Sequence, residues 1–398
     1  MTTTDFSSIL PINNNVYSFN PSIAHWKDDL YLCSYREFVR YRSLFQRGTT
    51  NTGITYNYTV NKIVDPNHPW LGGAKEICYT KILDGFDDTK MCIIQIDPVG
   101  SVVNLITSII YDENGNILQN IDGVDARLLK IGEDKFLLSY NTTSIQQNGT
   151  SCILISTRII QVTDDFRIII HPETIVCNDS NCHPKNWSVF LINVGNIVFS
   201  YELYPITHYM YLKLEENTLT CVGEQNVNAG DNIFSKLTNY YESLEKTHEP
   251  AFYISVSTPS VPFYHNILLG VGHIKYNYTR PLTFSPENFP PLIKFCEEMF
   301  TAKKLIHTKY IYMMFFYEFD IYDAKIISCT DIFIPPSTGT YCFPSGLTIN
   351  NNDQVILSYG DNDDKCMFLT FTRQEVKDLL DTQNILLKEP RDVDFYMF

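Results

Sequence analysis

The chain has 398 residues, of which 44% are hydrophobic, 14% aromatic and 19% charged; 30 Lys and Arg stand against 45 Asp and Glu, for a net charge of −15. This much apolar material supports a sizeable core and excludes a disordered, collagen-like or coiled-coil chain. The acidity excludes general nucleic-acid binding, which needs clustered cations against phosphates, but leaves room for a small phosphorylated ligand held by a few local cations.

The first residues, MTTTDFSSILPINNN, contain no basic segment followed by an apolar one, so no secretory signal is expected. The longest apolar run, Leu305–Phe316, is interrupted by His307 and Lys309. It falls well short of the ~20 residues a membrane span needs. The eleven cysteines are scattered without CxxC pairs and read as reduced thiols. A cytoplasmic protein without membrane or nucleic-acid partners is therefore expected. Cys177, Cys182 and His183 lie close together in CNDSNCH, but the spacing fits no zinc pattern, and no metal is expected.

Along the chain the hydrophobic pattern is mostly strand-like. YLCSY, KFLLSY, NIVFSY, YMYLKL and QVILSY are short, rich in β-branched and aromatic residues, and bounded by Asn, Asp and Gly. Helical patterns are few: one over Pro290–Lys304 and one over Gln374–Leu387. The pattern is that of an all-β chain.

One unit recurs. Asn20–Pro21–Ser22 leads through Asp28–Asp29 into YLCSYRE. Asp125–Ala126–Arg127 leads through Gly132–Glu133–Asp134 into FLLSYN. Lys185–Asn186–Trp187–Ser188 leads into IVFSYE, Thr258–Pro259–Ser260 into LLGVGHIKY, and Phe343–Pro344–Ser345–Gly346 into VILSYGDND. Each unit is a small or polar opening, a strand, a turn and a second strand. The starts at 20, 124, 185, 258 and 343 are too unevenly spaced for a strict sequence repeat, but each interval can hold a four-stranded sheet. Five hairpins of one design predict a single domain over residues 1–398, an all-β five-bladed β-propeller with few short helices. The blade-core hairpins are expected near 20–37, 123–141, 185–202, 257–276 and 342–371, with an insertion over 39–78. The openings of the inner strands would line one axial pocket.

In order along the chain, these units resemble the motifs of the family-130 glycoside phosphorylases, five-bladed propellers acting on β-mannosides, and of their glycosidase and mannosyltransferase branches. FNPSIAHWKDDLYLCSYRE resembles the "FNP…LLYR" unit and GVDARLLKIGEDKFLLSYN the "EDPR…Y" unit. HPKNWSVFLINVGNIVFSYELYP resembles the "K(D/N)…FP" unit, STPSVPFYHNILLGVGHIKY the "PP…YHG" unit, and CFPSGLTINNNDQVILSYGDNDD the "FP.GL…YYGAAD" unit. Departures cluster at the expected site. Val124 and Ala126 replace the Glu and Pro of "EDPR", and Asp361 and Asn362 replace the two Ala of "GAAD".

The resemblance implies an enzyme making or breaking a glycosidic bond, as a β-mannoside-type phosphorylase or a glycosyltransferase. Inorganic phosphate, a sugar phosphate or a nucleotide sugar would be co-substrate, with no further cofactor. A glycoside hydrolase on the same fold and a catalytically inactive sugar-binding propeller remain open. The resemblance makes Asp125 the general acid. It places Arg36, Lys185, His273 and Asp363 around sugar and phosphate, and it implies an oligosaccharide or small-molecule substrate and self-association. Asp361 is particular to this chain and could join Asp363 in binding vicinal hydroxyls. Arg127 lies two residues beyond Asp125, so a regular strand would turn both to one face. It could bind sugar, bind phosphate or orient Asp125. Trp187 and Tyr359 could stack on a sugar or fill the core.

Overall fold

The computed structural model describes residues 2–10, 16–39, 54–55, 63–64, 87–145, 151–177, 187–193, 195–201, 206–215, 217–228, 252–277, 310–323, 325–330, 333–336, 342–361, 365–382 and 396–397. The recurring units open five successive antiparallel sheets, the blades of a propeller.

Blade 1 runs Val16–Lys27, Leu30–Val39, Asp87–Ile96 and Val102–Thr107 from the axis outward. Blade 2 runs Val124–Lys130, Lys135–Ile145 and Ser151–Val162. Ile168–Ile170 and Thr174–Cys177 both pair with its third strand, and the ladder Ile110–Asp112/Ile117–Leu118 joins the blade by parallel pairing of Ile110–Asp112 with Ile168–Ile170. Blade 3 is Ser188–Asn193, Asn196–Tyr201, Ile206–Glu215 and Thr218–Asn228. In blade 4 two short segments, Phe252–Val256 and Val261–Tyr264, share one partner, Ile267–Asn277, followed by Tyr310–Asp320. Blade 5 is Cys342–Ile349, Gln354–Asp361 and Lys365–Thr372, and its fourth strand is the N-terminal segment Thr2–Asp5.

Adjacent blades share their cores. Trp26, Leu32 and Ile93 of blade 1 pack with Leu128, Phe136 and Ile160 of blade 2. Leu137 and Ile159 of blade 2 pack with Val189 and Phe199 of blade 3. Phe190 of blade 3 meets Phe319 of blade 4, with ring centroids 5.1 Å apart. Val271 and Phe316 of blade 4 meet Leu357 and Leu369 of blade 5, and Ile356 and Phe368 of blade 5 meet Ile23 and Cys33 of blade 1. The ring is thus closed by packing as well as by the N-terminal strand.

The small or polar openings are stitches between blades. Ser345 Oγ donates to Pro21 O at 2.7 Å, Ser22 Oγ accepts from Leu128 N at 2.9 Å, and Ser188 Oγ donates to Thr258 O at 2.7 Å. The stitches of blades 1, 2 and 5 sit where the inner strand departs from regular pairing, at Phe19/Ser22, Val124/Arg127 and Pro344/Gly346. A bulge re-aims side chains and frees backbone groups for such contacts. Ser188→Ala leaves the buried Thr258 carbonyl short of a donor. It is expected to lower the unfolding free energy by about 1–3 kcal/mol in a denaturant titration. An unchanged midpoint would show the stitch to be ornamental.

The strand segments read from the sequence all form strands. Of the two expected helices, Gln374–Leu387 corresponds to the helix Arg373–Thr382. Pro290–Lys304 lies outside the described residues, as does most of the insertion at 39–78, where Ile54–Thr55 and Ile63–Val64 form a short ladder. No helix among the described residues is long and apolar enough to cross a membrane.

Candidate functional site

Asp125 opens the inner strand of blade 2 in the left-handed region, with φ 56°. Asn20 holds the equivalent place in blade 1 and shares that conformation, with φ 48°. Asp and Asn are among the few non-glycine residues that adopt it readily. The kink turns the Asp125 side chain toward blade 1. There its Oδ1 accepts from Asn20 Nδ2 at 3.1 Å and from Arg36 Nη1 at 3.1 Å.

Two glycines make room for this arrangement. Gly123 has φ 155°, and a Cβ there would come within 2.2 Å of the Tyr140 ring. A Cβ on Gly360 would come within 2.2 Å of Asn20 Oδ1. Gly360→Ala would therefore push Asn20 off Asp125.

Arg127 does not share a face with Asp125. The strand is irregular between Val124 and Arg127 and Asp125 is left-handed, so the two-residue alternation fails. Arg127 is 3% exposed, and its guanidinium points across the axis to blade 4. Its Nε donates to Ser257 O at 2.6 Å, and its Nη1 donates to Asp125 O at 2.8 Å and Ala126 O at 3.1 Å. It thus grips the Asp125 backbone, not the carboxylate. Burial pushes its pKa down to about 10, against the opposing pull of Asp125. Carbonyl dipoles stabilise the buried charge, and its planar fork lets one side chain engage three oxygens. Phe343 of blade 5 lies beneath it, 5.1 Å from ring centroid to Cζ.

His273 supports the same arm. It is buried, shares a hydrogen bond through Nδ1 with the Ser257 hydroxyl, and stacks on Tyr312 at 5.5 Å. Burial, then Lys275 and Arg127, holds its pKa down at about 3, against an ordinary 6.5. The unfolded chain binds this proton as pH falls below 6.5, and the fold resists it until about 3. Stability is therefore expected to drop as pH falls through that window, by at most about 1.4 kcal/mol per pH unit from this group. Burial shifts His25 and His171 in the same direction, adding to the slope. His273→Gln should flatten the acid limb of a plot of unfolding free energy against pH. An unchanged limb would mean that the imidazole is protonated inside the fold.

Asp361 is buried at the end of the second strand of blade 5, paired in register with Cys342 and adjacent to Gly360. Lys185 and Asp363 lie outside the described residues. The structure thus brings Arg36, Asp125 and Arg127 together, with His273 behind Arg127. Tyr359 is fully buried, with its hydroxyl donating to Pro336 O at 2.6 Å, and belongs to the core. Trp187 is 6% exposed and stacks on Tyr201, with centroids 5.0 Å apart.

Sequence reasoning missed Asn20 and Ser257 as site residues. Superposing the units would have found Asn20, because it stands where Asp125 stands. Ser257 holds Arg127 through its backbone carbonyl, which leaves no signature in side-chain chemistry.

On the outer side of Asp125, a recess opens between blades 2 and 3. It is shallow, with room for about one water (about 10 Å³), and is lined by Asp125, Arg127, Ser139, Tyr140, Asn141, Ile155, Trp187 and Phe199.

No family model matches the chain, and no curated protein matches it in sequence. Among solved structures it is similar to a mannose phosphorylase from Leishmania mexicana in complex with phosphate ion, at 11% identity and TM-score 0.45, over 94% of this chain and 90% of that one. It is similar to a β-1,2-mannobiose phosphorylase from Listeria innocua, at 11% identity and TM-score 0.45, over 96% and 100% of the two chains. It is also similar to a GDP-Man-dependent mannosyltransferase from Leishmania mexicana, at 10% identity and TM-score 0.45, over 94% and 89%.

Proposed function

We propose that this propeller is a carbohydrate-active enzyme that makes or breaks a glycosidic bond, as a β-mannoside-type phosphorylase or glycosyltransferase, with Asp125 as its general acid. One observation carries the reading. A carboxylate is held at the axial end in a left-handed backbone conformation, with donors from blade 1 on its oxygen and a buried guanidinium from its own blade fixing its main chain. Left-handed backbone in a non-glycine residue persists where the surroundings enforce it, and such positions cluster at functional sites. The order of the five motifs along the chain supports the sugar chemistry.

Cleavage of a glycosidic bond needs a proton for the leaving oxygen and a nucleophile at the anomeric carbon. Asp125 supplies the proton. Arg36 and Asn20 orient the carboxyl through the hydrogen bonds they donate to its Oδ1. The nucleophile is a co-substrate phosphate in the phosphorylase direction; in synthesis, the phosphate or nucleotide leaves as an acceptor hydroxyl attacks. Lys185 is proposed to contact the phosphate, and Asp361 with Asp363 to bind sugar hydroxyls. Arg127 and His273 are positioning residues in this scheme, because their polar groups are turned to the protein.

A phosphate-release screen tests it. The protein is incubated with mannose 1-phosphate, other sugar 1-phosphates and GDP-mannose, each with a panel of acceptor sugars. Phosphate or GDP release that depends on the acceptor is the expected result. Sugar released from a disaccharide at the same rate with and without phosphate would replace the reading by hydrolysis. Saturable sugar binding without turnover would replace it by a sugar-binding propeller.

A further inference from the structure

Asp125 ends a segment that enters blade 2 from blade 1, and one buried residue of blade 1 holds that segment. Thr89, on the third strand of blade 1, is fully buried. Its N–H donates to Ile121 O at 3.0 Å and its carbonyl accepts from Ile121 N at 2.9 Å, an isolated β-bridge. Its Oγ1 donates to Gly123 O at 2.9 Å, two residues ahead of Asp125. The Ile121 side chain packs with Met91 and Leu128 in the core shared by blades 1 and 2. Next along the strand, Lys90 Nζ donates to Gln119 O at 2.7 Å. Thr89 also pairs in register with Arg36. Residues opposed in an antiparallel pair lie on one face of the sheet. A single rung of blade 1 thus carries the guanidinium that reaches the Asp125 carboxylate and the hydroxyl that reaches its incoming main chain.

Gly123 is where that segment would otherwise be loosest. Its φ of 155° favours glycine, and the Tyr140 ring leaves no room for a Cβ. Glycine is also the most permissive residue of the chain, so the residue that packing requires is the one that would let Asp125 wander. We propose that Thr89 is a positioning residue for the general acid. Its hydroxyl fixes Gly123 O, and with it the direction in which the left-handed Asp125 leaves the strand. Arg127 holds the same kink from the other side, with Nη1 on Asp125 O and Ala126 O. The carboxyl is then set by two main-chain clamps, one from blade 1 ahead of it and one from blade 2 behind it, besides the donors on its own oxygen. Such placement matters, because an error of about 1 Å in a reacting group costs on the order of 10² in rate. The inference rests on the reading of Asp125 as general acid and adds what holds that acid in place.

A double-mutant cycle on kcat tests it, with the sugar 1-phosphates, GDP-mannose and acceptor sugars of the release screen. Thr89→Val keeps the shape of the side chain and removes the hydroxyl. It is expected to lower kcat roughly 10–10²-fold and to leave KM within about twofold, because Thr89 is fully buried and offers nothing to bind substrate. Thr89→Ser, which keeps the hydroxyl, should restore most of kcat. In the Asp125→Asn background, Thr89→Val should lower the residual rate no further, since a positioning residue acts through the group it positions. Thr330→Val is the control. It removes a buried hydroxyl of blade 4 that accepts from Phe316 N at 3.0 Å, and it should lower the unfolding midpoint with kcat intact. Wild-type kcat in Thr89→Val, or an equal loss in the Asp125→Asn background, would reduce Thr89 to a structural staple. Either result would overturn the inference and leave the enzyme reading intact. If Thr89→Val does not fold, Thr89→Ser carries the test: wild-type kcat at a lowered midpoint is expected, and a fall in kcat with the hydroxyl in place would overturn it. A wild-type protein without turnover in the release screen would overturn both readings.

Discussion

Asp125→Asn is expected to lower kcat roughly 10²–10⁴-fold, the usual contribution of a positioned general acid, and to change KM little. Asparagine is the clean substitution for local reasons. It tolerates the left-handed backbone that Asp125 adopts at φ 56°. Its carbonyl oxygen can still accept from Asn20 and Arg36, as Oδ1 of Asp125 does. It cannot give up a proton. The lost ion pair with Arg36 is partly exposed on both sides, and such pairs contribute about 0–1 kcal/mol, so the fold should survive. The pH profile adds a second readout. An acid works only while protonated, so wild-type activity should fall toward alkaline pH, and the residual activity of the variant should lack that limb. A variant with full kcat, or with the alkaline limb intact, would remove Asp125 from the chemistry.

How much of this was legible in the sequence differs between fold and site. The hairpins were legible because each joins a small or polar opening to a second strand, rich in β-branched and aromatic residues, that ends in the same Ser-Tyr or Gly-His pattern. The reason for that recurrence was not. Ser22, Ser188 and Ser345 are kept small and polar to stitch one blade to the next, which is a property of the ring and not of any one hairpin. Asp125 was found by its place in the unit. The direction of Arg127 was misjudged, because strand alternation assumes a regular backbone and Asp125 breaks it. Arg127 and His273 carry the residue types of ligand-binding groups, but the structure buries both and turns their polar atoms to Ser257. Burial of a charged side chain depends on what packs around it from other blades, and a single sequence does not state that.

Removing residues 1–9 is expected to have the largest effect on stability, because those residues close the ring. Thr2–Asp5 pair with Thr370–Met367 as the fourth strand of blade 5. Without them the strand Lys365–Thr372 becomes an open edge rich in apolar residues, the kind of edge that recruits other chains. Asp5 accepts from Ser7 N at 2.9 Å and so starts the short turn Phe6–Ile9. That turn places Phe6, fully buried, against Phe368 of blade 5 at 5.2 Å and Tyr35 of blade 1 at 6.2 Å. One aromatic ring thus plugs the seam where the last blade meets the first. Phe6→Ala alone should cost about 3–5 kcal/mol, the usual figure for emptying such a site. The truncation loses that packing and the four-residue ladder together. It should yield aggregating protein, or protein unfolding at much lower denaturant, and a peptide of residues 1–10 supplied in excess should restore part of the loss by occupying the vacated edge. A truncated chain with the wild-type midpoint would mean that packing between blades 5 and 1 closes the ring by itself. The axial site depends on this seam, because Asn20 rests on Gly360 across it. Loosening the seam should therefore weaken catalysis before it unfolds the protein, visible in Phe6→Ala as a fall in kcat at temperatures where the fold is still intact.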